Sequence, residues 1–590
     1  MSVLVDRLRI SGFRGIEDIE ISLSRTTLLI GVNNSGKTSV IRALQLALGD
    51  YSRYLTDDDF HIAHDDTRCE EIVVDVRIVP SNTEGKRNEV FSEDWIQEFG
   101  SSISVVGIEG ELGHDQFLAV RTVARPDSVK GGFVVKHYAL DNWPPISSWK
   151  SERVREDNRI RRRYEALPFI TVDAQRDIHQ ELRDRTSFVG KILSSVKYDA
   201  SDVSQLEGMI AEINQKAVAK SEPLKGLKTQ LDALNQSFEG SGQAELTPFP
   251  KKIRDLAKRF SIHFGESDQS SFSMEYHGMG TRSWASMLTV KAFVELMADN
   301  HEQEANPFFP IIAVEEPESH LHPNAQRTLY RQMRKNIQSQ IIVSTHSPYL
   351  PAISSLDEIR MLKKTGGEVH ATSVVDLSAE EKNRLRREIM RFRGEMFFSR
   401  ALILAEGPTE ERLIPAMFEL YHDCPIFEKG VNCIGVGGKN YRPFLVFAFS
   451  FDIPVCIISD NDGDTERVVR AQIERIKGEQ EINLDEKRFS LEFLGEENNI
   501  ERELLSIPQL REKIIEAFVA LEAGDNRYHA RAKKEELSNL GDDGLVQILK
   551  SNKLSYADFL SEVILQKPNG RDMIPDAFVK TFETLESWIG

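Results

Sequence analysis

Gly31-Val32-Asn33-Asn34-Ser35-Gly36-Lys37-Thr38 is the stretch on which the reading of this chain turns. A short apolar run, Leu28-Leu29-Ile30, precedes it. Ser39 to Leu48 follows, with Val40, Leu44 and Leu48 four apart, the spacing that stacks side chains on one helical face. Gly49 supplies a C-terminal stop. Strand, glycine-bounded loop and helix in that order are the setting of a phosphate-binding loop. Backbone N–H groups of such a turn converge on phosphate oxygens because glycine puts no side chain in the way. The helix start adds unpaired donors and the positive end of its dipole. Lys37 is therefore expected to meet the outer phosphates of a nucleotide and the Thr38 hydroxyl to hold magnesium. Gly31, Asn33, Asn34, Ser35, Gly36 and Ser39 complete the expected contact. A chance glycine loop is the alternative, and the flanking strand and helix weigh against it.

Outward from this loop, composition narrows the class. A chain of 590 residues exceeds a single hydrophobic core and is expected to hold roughly two to four domains. With 40% hydrophobic and 28% charged residues it reads as an ordinary globular protein. No apolar run approaches the roughly 18 residues of a membrane span; the greasiest stretch, Phe444 to Phe451, ends at Asp452. Met1-Ser2-Val3-Leu4-Val5-Asp6-Arg7 lacks the basic-then-apolar layout of a signal peptide. Cys69, Cys424, Cys433 and Cys456 show no metal-ligand spacing, so a reducing cytoplasm is the expected location. The net charge of −19 taken alone argues against a nucleic-acid partner, but clustered acids also hold metals while a local basic surface binds phosphate. Lys150 to Arg163 is such a basic stretch, read as a solvated helix face with a phosphate-contacting face as the alternative. Residues 203–238, with Leu206, Met209, Ile213, Leu227 and Leu231, have helical spacing suited to packing or dimerisation.

Two further motifs belong with the loop. Phe308-Phe309-Pro310-Ile311-Ile312-Ala313-Val314 reads as a buried strand that ends in Glu315-Glu316. Such a pair suits a magnesium–water site, Glu315 near the metal and Glu316 orienting the attacking water. Ile341-Ile342-Val343 runs into Ser344-Thr345-His346, where His346 is a candidate γ-phosphate contact. Tyr276-His277-Gly278-Met279-Gly280-Thr281 is a small glycine turn ahead of an expected helix, Ala285 to Leu296. Together with Phe13-Arg14-Gly15-Ile16, this set resembles an ABC-type ATPase of the SMC and RecF kind. The resemblance implies that Gly278 and Gly280 belong to a signature loop, and that Ser319 to His322 cross to a second subunit. It also implies that His346 is a switch histidine and that two heads sandwich ATP in a symmetric dimer. The Gly278–Gly280 turn departs from the usual Leu-Ser-Gly-Gly-Gln signature.

The second half is organised by acids at strand ends. Ala401-Leu402-Ile403-Leu404-Ala405 runs into Glu406-Gly407-Pro408-Thr409-Glu410, Gly407 permitting a tight turn and Glu410 falling one turn into the next helix. Val455-Cys456-Ile457-Ile458 runs into Ser459-Asp460-Asn461-Asp462, and the Phe489 to Leu494 strand leads to Glu501 and Glu503. Carboxylates so gathered repel one another and are costly to desolvate unless cations intervene. An all-oxygen set suits magnesium or manganese, and two such ions support in-line displacement at a phosphodiester. Capping and solvated acids are the alternative reading.

Glu406-Gly407 and Asp460-Asn461-Asp462 resemble the marks of a Toprim fold. An ABC-type ATPase followed by Toprim resembles the overcoming-lysogenization-defect (OLD) nucleases and their Gabija-type relatives. The expected fold class is α/β: an ABC/SMC-like ATPase head with a helical insertion, followed by a C-terminal Toprim domain. The expected divisions are 1–145 and 266–390 for the two ATPase lobes, 146–265 for the insertion and 391–590 for Toprim. The resemblance implies that Glu406, Asp460 and Asp462 hold one metal, and Glu410, Glu501 and Glu503 the other. It implies a catalytic lysine near the C-terminus, here Lys567, with Lys550 and Lys553 as alternatives. The function implied is an ATP-regulated, Mg2+- or Mn2+-dependent DNA endonuclease or nickase in anti-phage defence, a homodimer or larger, with a helicase or retron-type accessory component possible. Its rivals are an SMC-like ATPase clamp with a non-catalytic Toprim module and a DNA repair or topology enzyme.

Overall fold

A computed structural model describes residues 2–105, 115–127, 129, 131–152, 154–173, 199–237, 248–249, 263–264, 272–273, 276–303, 306–335, 338–374, 379–387, 394–478, 486–495, 498–523, 527–566 and 570–589. The chain divides into two compact units. One comprises Met1–Leu8, Ile41–Leu55 and Val74–Ser344, the other Arg9–Val40, Thr56–Val73 and Thr345–Gly590.

In the first unit, Phe117–Pro126 pairs antiparallel with Phe133–Leu140, from Ala119 opposite Leu140 to Pro126 opposite Phe133. Arg121 on this ribbon holds the fully buried Asp75 through two bonds of 2.8 and 2.6 Å, and also donates to the carbonyls of Trp149 and Glu152. A charge so buried is tolerable because both carboxylate oxygens meet the guanidinium fork. The stretch Lys150 to Arg163, expected to be helical, is not. Trp149–Ser151 and Glu156–Asn158 are single 3-10 turns, and Arg159–Ile160 is a strand. Pairing of Arg159 with Tyr138 and Ile160 with His137 extends the antiparallel sheet, and this non-local ladder overrides the local helical spacing.

Phe169–Val172, Ile311–Glu315 and Gln340–Thr345 run parallel, with Ile311–Glu315 between the other two. Ile311, Ala313, Ile342 and Val343 are fully buried, as strands covered on both faces must be. Among the described residues of the stretch 146–265, Ala200–Lys220 and Glu222–Ser237 are α-helices, and Leu206, Met209, Ile213 and Leu227 stand exposed on them. The helix after the Gly278 turn runs from Met279 to Gln303, six residues earlier than expected, so Gly280 lies inside it and not in a loop. A Cβ at Gly280 would stand 2.4 Å from the His320 carbonyl oxygen. Glycine is required there because the helix rests on the turn after Glu315-Glu316 within the same chain.

In the second unit the phosphate-loop strand Thr26–Ile30 lies parallel to Ile359–Thr365, which pairs antiparallel with Glu368–Thr372. The last 190 residues build a parallel sheet in the order Val431–Gly435, Ala401–Ala405, Val455–Ser459, Phe489–Phe493. Every residue of Ala401–Ala405 is fully buried, and each large aliphatic so removed from water contributes roughly 1.5–3 kcal/mol. The apolar run from Phe444 is the helix Arg442–Ser450, buried almost throughout, with Phe447 set edge-on against Phe397 and Phe451. Pro408–His422 packs against Lys553–Leu565, which brings segments far apart in sequence together beside the sheet.

Candidate functional site

The phosphate loop is built on backbone conformations that glycine and asparagine adopt: Gly31, Asn34 and Gly36 have φ of 154°, 62° and 96°. A Cβ at Gly31 would strike the Leu362 carbonyl oxygen at 2.3 Å, so the loop seats tightly on the neighbouring strand. The following helix begins at Lys37, two residues before the expected Ser39. Lys37 Nζ donates to the Gly31 and Val32 carbonyls, each at 2.9 Å, folding the lysine over its own loop. Asn33, Asn34 and Thr38 are exposed, while Ser35 is buried and Ser39 half-buried. A cavity of about 320 Å³ lies beside this hairpin, lined by Arg14, Gly15, His61, His64, Lys364 and Gly367. Arg14 there is anchored to Asp59 at 2.8 Å.

In the first unit, Glu315 closes its strand opposite Ser344 and is ion-paired with Arg42 at 3.1 Å. Arg42, on the phosphate-loop helix, also holds Asp173 at 2.9 Å. Glu316 has φ of 44°, and its N–H donates to the Ser344 carbonyl at 2.9 Å, turning the chain sharply after the strand. His346 follows the strand Gln340–Thr345 and is half-buried.

The acids of the second unit converge more fully. Ala405 lies opposite Ile458, so Glu406 and Asp460 both emerge at the carboxyl edge of adjacent parallel strands, where open α/β sheets bind ligands. Glu410 sits buried in the first turn of Pro408–His422. Gly407 has φ of −137°, so it is not needed for a left-handed turn; its want of a side chain matters because a Cβ there would stand 3.1 Å from the Glu410 carboxylate. Glu501 is buried in the first turn of Ile500–Ser506, whose start is docked by Asp460 accepting from the Ile500 N–H at 3.1 Å. Asp462 accepts from Thr465 at 2.8 Å. Glu503 accepts from the Gly495 N–H at 3.1 Å and from Asn498 Nδ2 at 2.7 Å; that oxygen braces the preceding loop.

These groups share one electrostatic field. Burial pushes the Asp460 carboxyl up to about 8, and Glu410, Glu406, Asp462 and Glu501 add to the shift. Tyr441 and Tyr556, fully buried, flank the same acids; burial first, then the carboxylates, drives both phenols upward. Lys439 Nζ stands 3.7 Å from Asp462. It rises from Gly437-Gly438, whose φ values are 73° and 119°, and Gly438 N–H donates to the Glu406 carbonyl at 2.8 Å. Sequence reasoning missed Lys439, Tyr441 and Tyr556; only the glycine pair ahead of a lysine signalled the first. Lys567 lies outside the described residues, Lys550 is exposed, and Lys553 begins the helix that covers the Glu410 helix.

Among the described residues no three His, Cys, Asp or Glu side chains stand close enough to ligate one ion. The donor set nevertheless fits hard divalent cations by its chemistry, being all oxygen, confined and mutually repelling.

Residues 26–352 match the family model described as AAA domain, putative AbiEii toxin, Type IV TA system. Residues 397–462 match that of the overcoming lysogenization defect protein-like TOPRIM domain. The OLD nuclease of Thermus scotoductus is 27% identical, over 81% of this chain and 87% of its own length. Endonuclease GajA of Bacillus cereus VD045 is 23% identical over 77% of this chain and 74% of its own. The Old nuclease of Escherichia phage P2 is 22% identical over 75% and 74%. An ATPase model spanning more than half the chain, joined to an OLD-like Toprim model over the strands that carry Glu406 and Asp460, shows that this chain belongs to the OLD family of ATPase–Toprim nucleases.

Proposed function

We propose that this chain is an ATP-regulated, divalent-metal-dependent DNA endonuclease or nickase that acts in anti-phage defence. The observation that carries the reading is geometric: Glu406 and Asp460 leave adjacent parallel strands at the same edge, with Glu410 and Glu501 buried on the helices that follow, and burial together with these acids holds the Asp460 carboxyl above its ordinary range. Structural acids are rarely packed so unfavourably, and perturbed carboxyls in a confined site are the mark of chemistry. Glu406, Asp460 and Asp462, with Glu410 and Glu501, would hold magnesium or manganese, which when bound would supply Lewis-acid activation of water and stabilisation of the leaving oxygen. Asp460 and the helix start it docks fix Glu501 relative to Glu406, while Lys439 brings a positive charge to the position where a scissile phosphate meets Asp462. Tyr441 and Tyr556 exclude water from the far side of the cluster; both are fully buried, which supports hydrolysis over attack by either of these tyrosines.

In the ATPase, Lys37 would leave its loop carbonyls for the nucleotide phosphates and Thr38 would offer its hydroxyl to magnesium; Glu315 would serve as an acidic magnesium ligand, Glu316 would orient water and His346 would sense the γ-phosphate. Gly278 and Gly280 contribute to the nucleotide site of a homodimer, and an accessory helicase or retron-type component is compatible with this arrangement. No described helix is long and apolar enough to cross a membrane, and a cytoplasmic location fits a DNA substrate. A clamp with a non-catalytic Toprim module is the second reading, favoured by the absence of a close ligating trio among the described residues. Incubation of supercoiled plasmid with the protein and Mn2+, with and without ATP, separates the two. Nicked or linear product without a covalent protein–DNA adduct supports the nuclease; intact plasmid under all conditions supports the clamp, and an adduct supports a topology enzyme.

A further inference from the structure

The basic stretch that failed to form a helix has a different use. Arg161, Arg162, Arg163 and Tyr164, with His137, line a cavity of about 220 Å³ whose remaining wall is Ala47, Leu48, Val120, Ile160 and Leu167. The apolar wall is largely buried, whereas the three arginines are exposed as residues, with the charged end of Arg163 partly enclosed. Arg162 is ion-paired with Glu165 at 2.5 Å, but neither Arg161 nor Arg163 makes a salt bridge with a described residue. This is unusual in a chain with 93 acidic and 74 basic residues, where a surface arginine readily finds a carboxylate. Arg163 is also crowded: burial and Arg53 both disfavour its charge, and Asp50, which favours it, already accepts from Gln45 at 3.3 Å. His137, 2.9 Å from the Thr122 hydroxyl, is held neutral at physiological pH by burial and by Arg163. Such a neutral ring adds hydrogen-bonding capacity without further repulsion.

We infer that this cavity is a nucleotide-unit site, separate from both the phosphate loop and the carboxylate cluster. Arg161 and Arg163 grip phosphate oxygens, and Tyr164 with the apolar wall receives the base. Guanidinium forks match phosphate geometry, and base–aromatic stacking tolerates any sequence. The volume is below the roughly 300 Å³ at which pockets enclose a whole drug-sized ligand, so one base enters while its phosphate stays at the arginine mouth. The nucleotide is either free or one unit of a DNA strand; the strand is the expected source and rests on the nuclease reading above.

The test is fluorescence anisotropy of a labelled single-stranded 20-mer with the full chain in EDTA, between 50 and 200 mM salt. Arg161→Ala/Arg163→Ala is expected to weaken binding about tenfold or more. It should also flatten the slope of log affinity against log salt by about 1.4, two phosphates at about 0.7 each. R155A, in the same basic stretch but on the other side of the Arg159–Ile160 strand and paired with Asp141 at 3.6 Å, is expected to bind as the unaltered chain does. Unchanged affinity and slope in the double variant, or an equal loss in R155A, overturns the assignment. Displacement of the 20-mer by millimolar dAMP assigns the site to free nucleotides, and no displacement assigns it to the strand. Plasmid cleavage together with unchanged binding by the double variant removes the cavity and leaves the nuclease. Weakened binding by the double variant, with no cleavage under any metal, removes the nuclease and leaves the cavity.

Discussion

Replacing Asp460 by Asn stabilises the metal-free protein at pH 8, the reverse of what a core polar substitution usually does. The carboxyl titrates near 8 in the folded chain against 3.8 for an unperturbed aspartate, chiefly through burial and then through Glu410, Glu406, Asp462 and Glu501. Because the folded value is the higher one, the native state keeps a proton that the unfolded chain has released. Stability therefore falls as pH rises from about 4 to about 8, and below about 4 both states are protonated alike. At 1.36 kcal/mol per pH unit the full effect has a ceiling of about 6 kcal/mol, shared among the coupled acids. Asn removes the charge yet keeps an oxygen to accept from the Ile500 N–H. Thermal unfolding in EDTA should thus show D460N melting several degrees above the unaltered chain at pH 8, with the gap shrinking as pH falls and nearly closed at about pH 4. Mn2+ should raise the melting temperature of the unaltered chain more at pH 8 than at pH 6, and that of D460N far less. If D460N melts lower than the unaltered chain at pH 8 in EDTA, or gains as much from Mn2+, the buried-charge argument is wrong.

Other consequences follow from single contacts. Lys439→Ala should slow DNA cleavage about 10- to 100-fold without weakening Mn2+ binding, read by titration calorimetry, since Lys439 faces Asp462 from outside the donor set. Gly407→Ala places a methyl 3.1 Å from the Glu410 carboxylate and should cut cleavage about tenfold, while φ of −137° lets the backbone tolerate alanine with a change in melting of no more than about 1 kcal/mol. His137 titrates near 4, below its ordinary 6.5, so the unfolded chain binds the extra proton. Its contribution is complete above about pH 6.5 and is lost as pH falls toward 4, about 3 kcal/mol at most. His137→Gln should flatten that part of the stability profile, measured by chemical denaturation at pH 4.5 and 7.

The parts legible in the sequence were those with a strong local pattern. An apolar strand that stops at an acid or at a glycine loop was readable at Ile30, Val314, Ala405 and Ile458, and each strand stands where expected. What escaped was decided by distant partners. Nothing near Lys150 to Arg163 announced pairing with His137 and Tyr138. Gly280 read as part of a glycine turn ahead of the helix, but it lies inside the helix and is kept for the close approach of the His320 carbonyl. Gly407 read as permitting a tight turn, but its φ of −137° needs no glycine and its missing side chain leaves room for the Glu410 carboxylate. Lys439 and Tyr556 reach the acids from a loop and a helix that are far in sequence from the carboxyl ends of the acid-bearing strands, so no spacing rule applies to them. The role of Glu503 in bracing Gly495 and Asn498 depends on a loop whose shape the sequence does not announce.

The most direct test is to follow supercoiled plasmid cleavage in Mn2+ and ATP hydrolysis side by side for Asp460→Ala/Asp462→Ala. A loss of cutting of at least about 100-fold with ATP turnover retained is the outcome predicted from a separate carboxylate centre. Undiminished cutting by the double variant would contradict it.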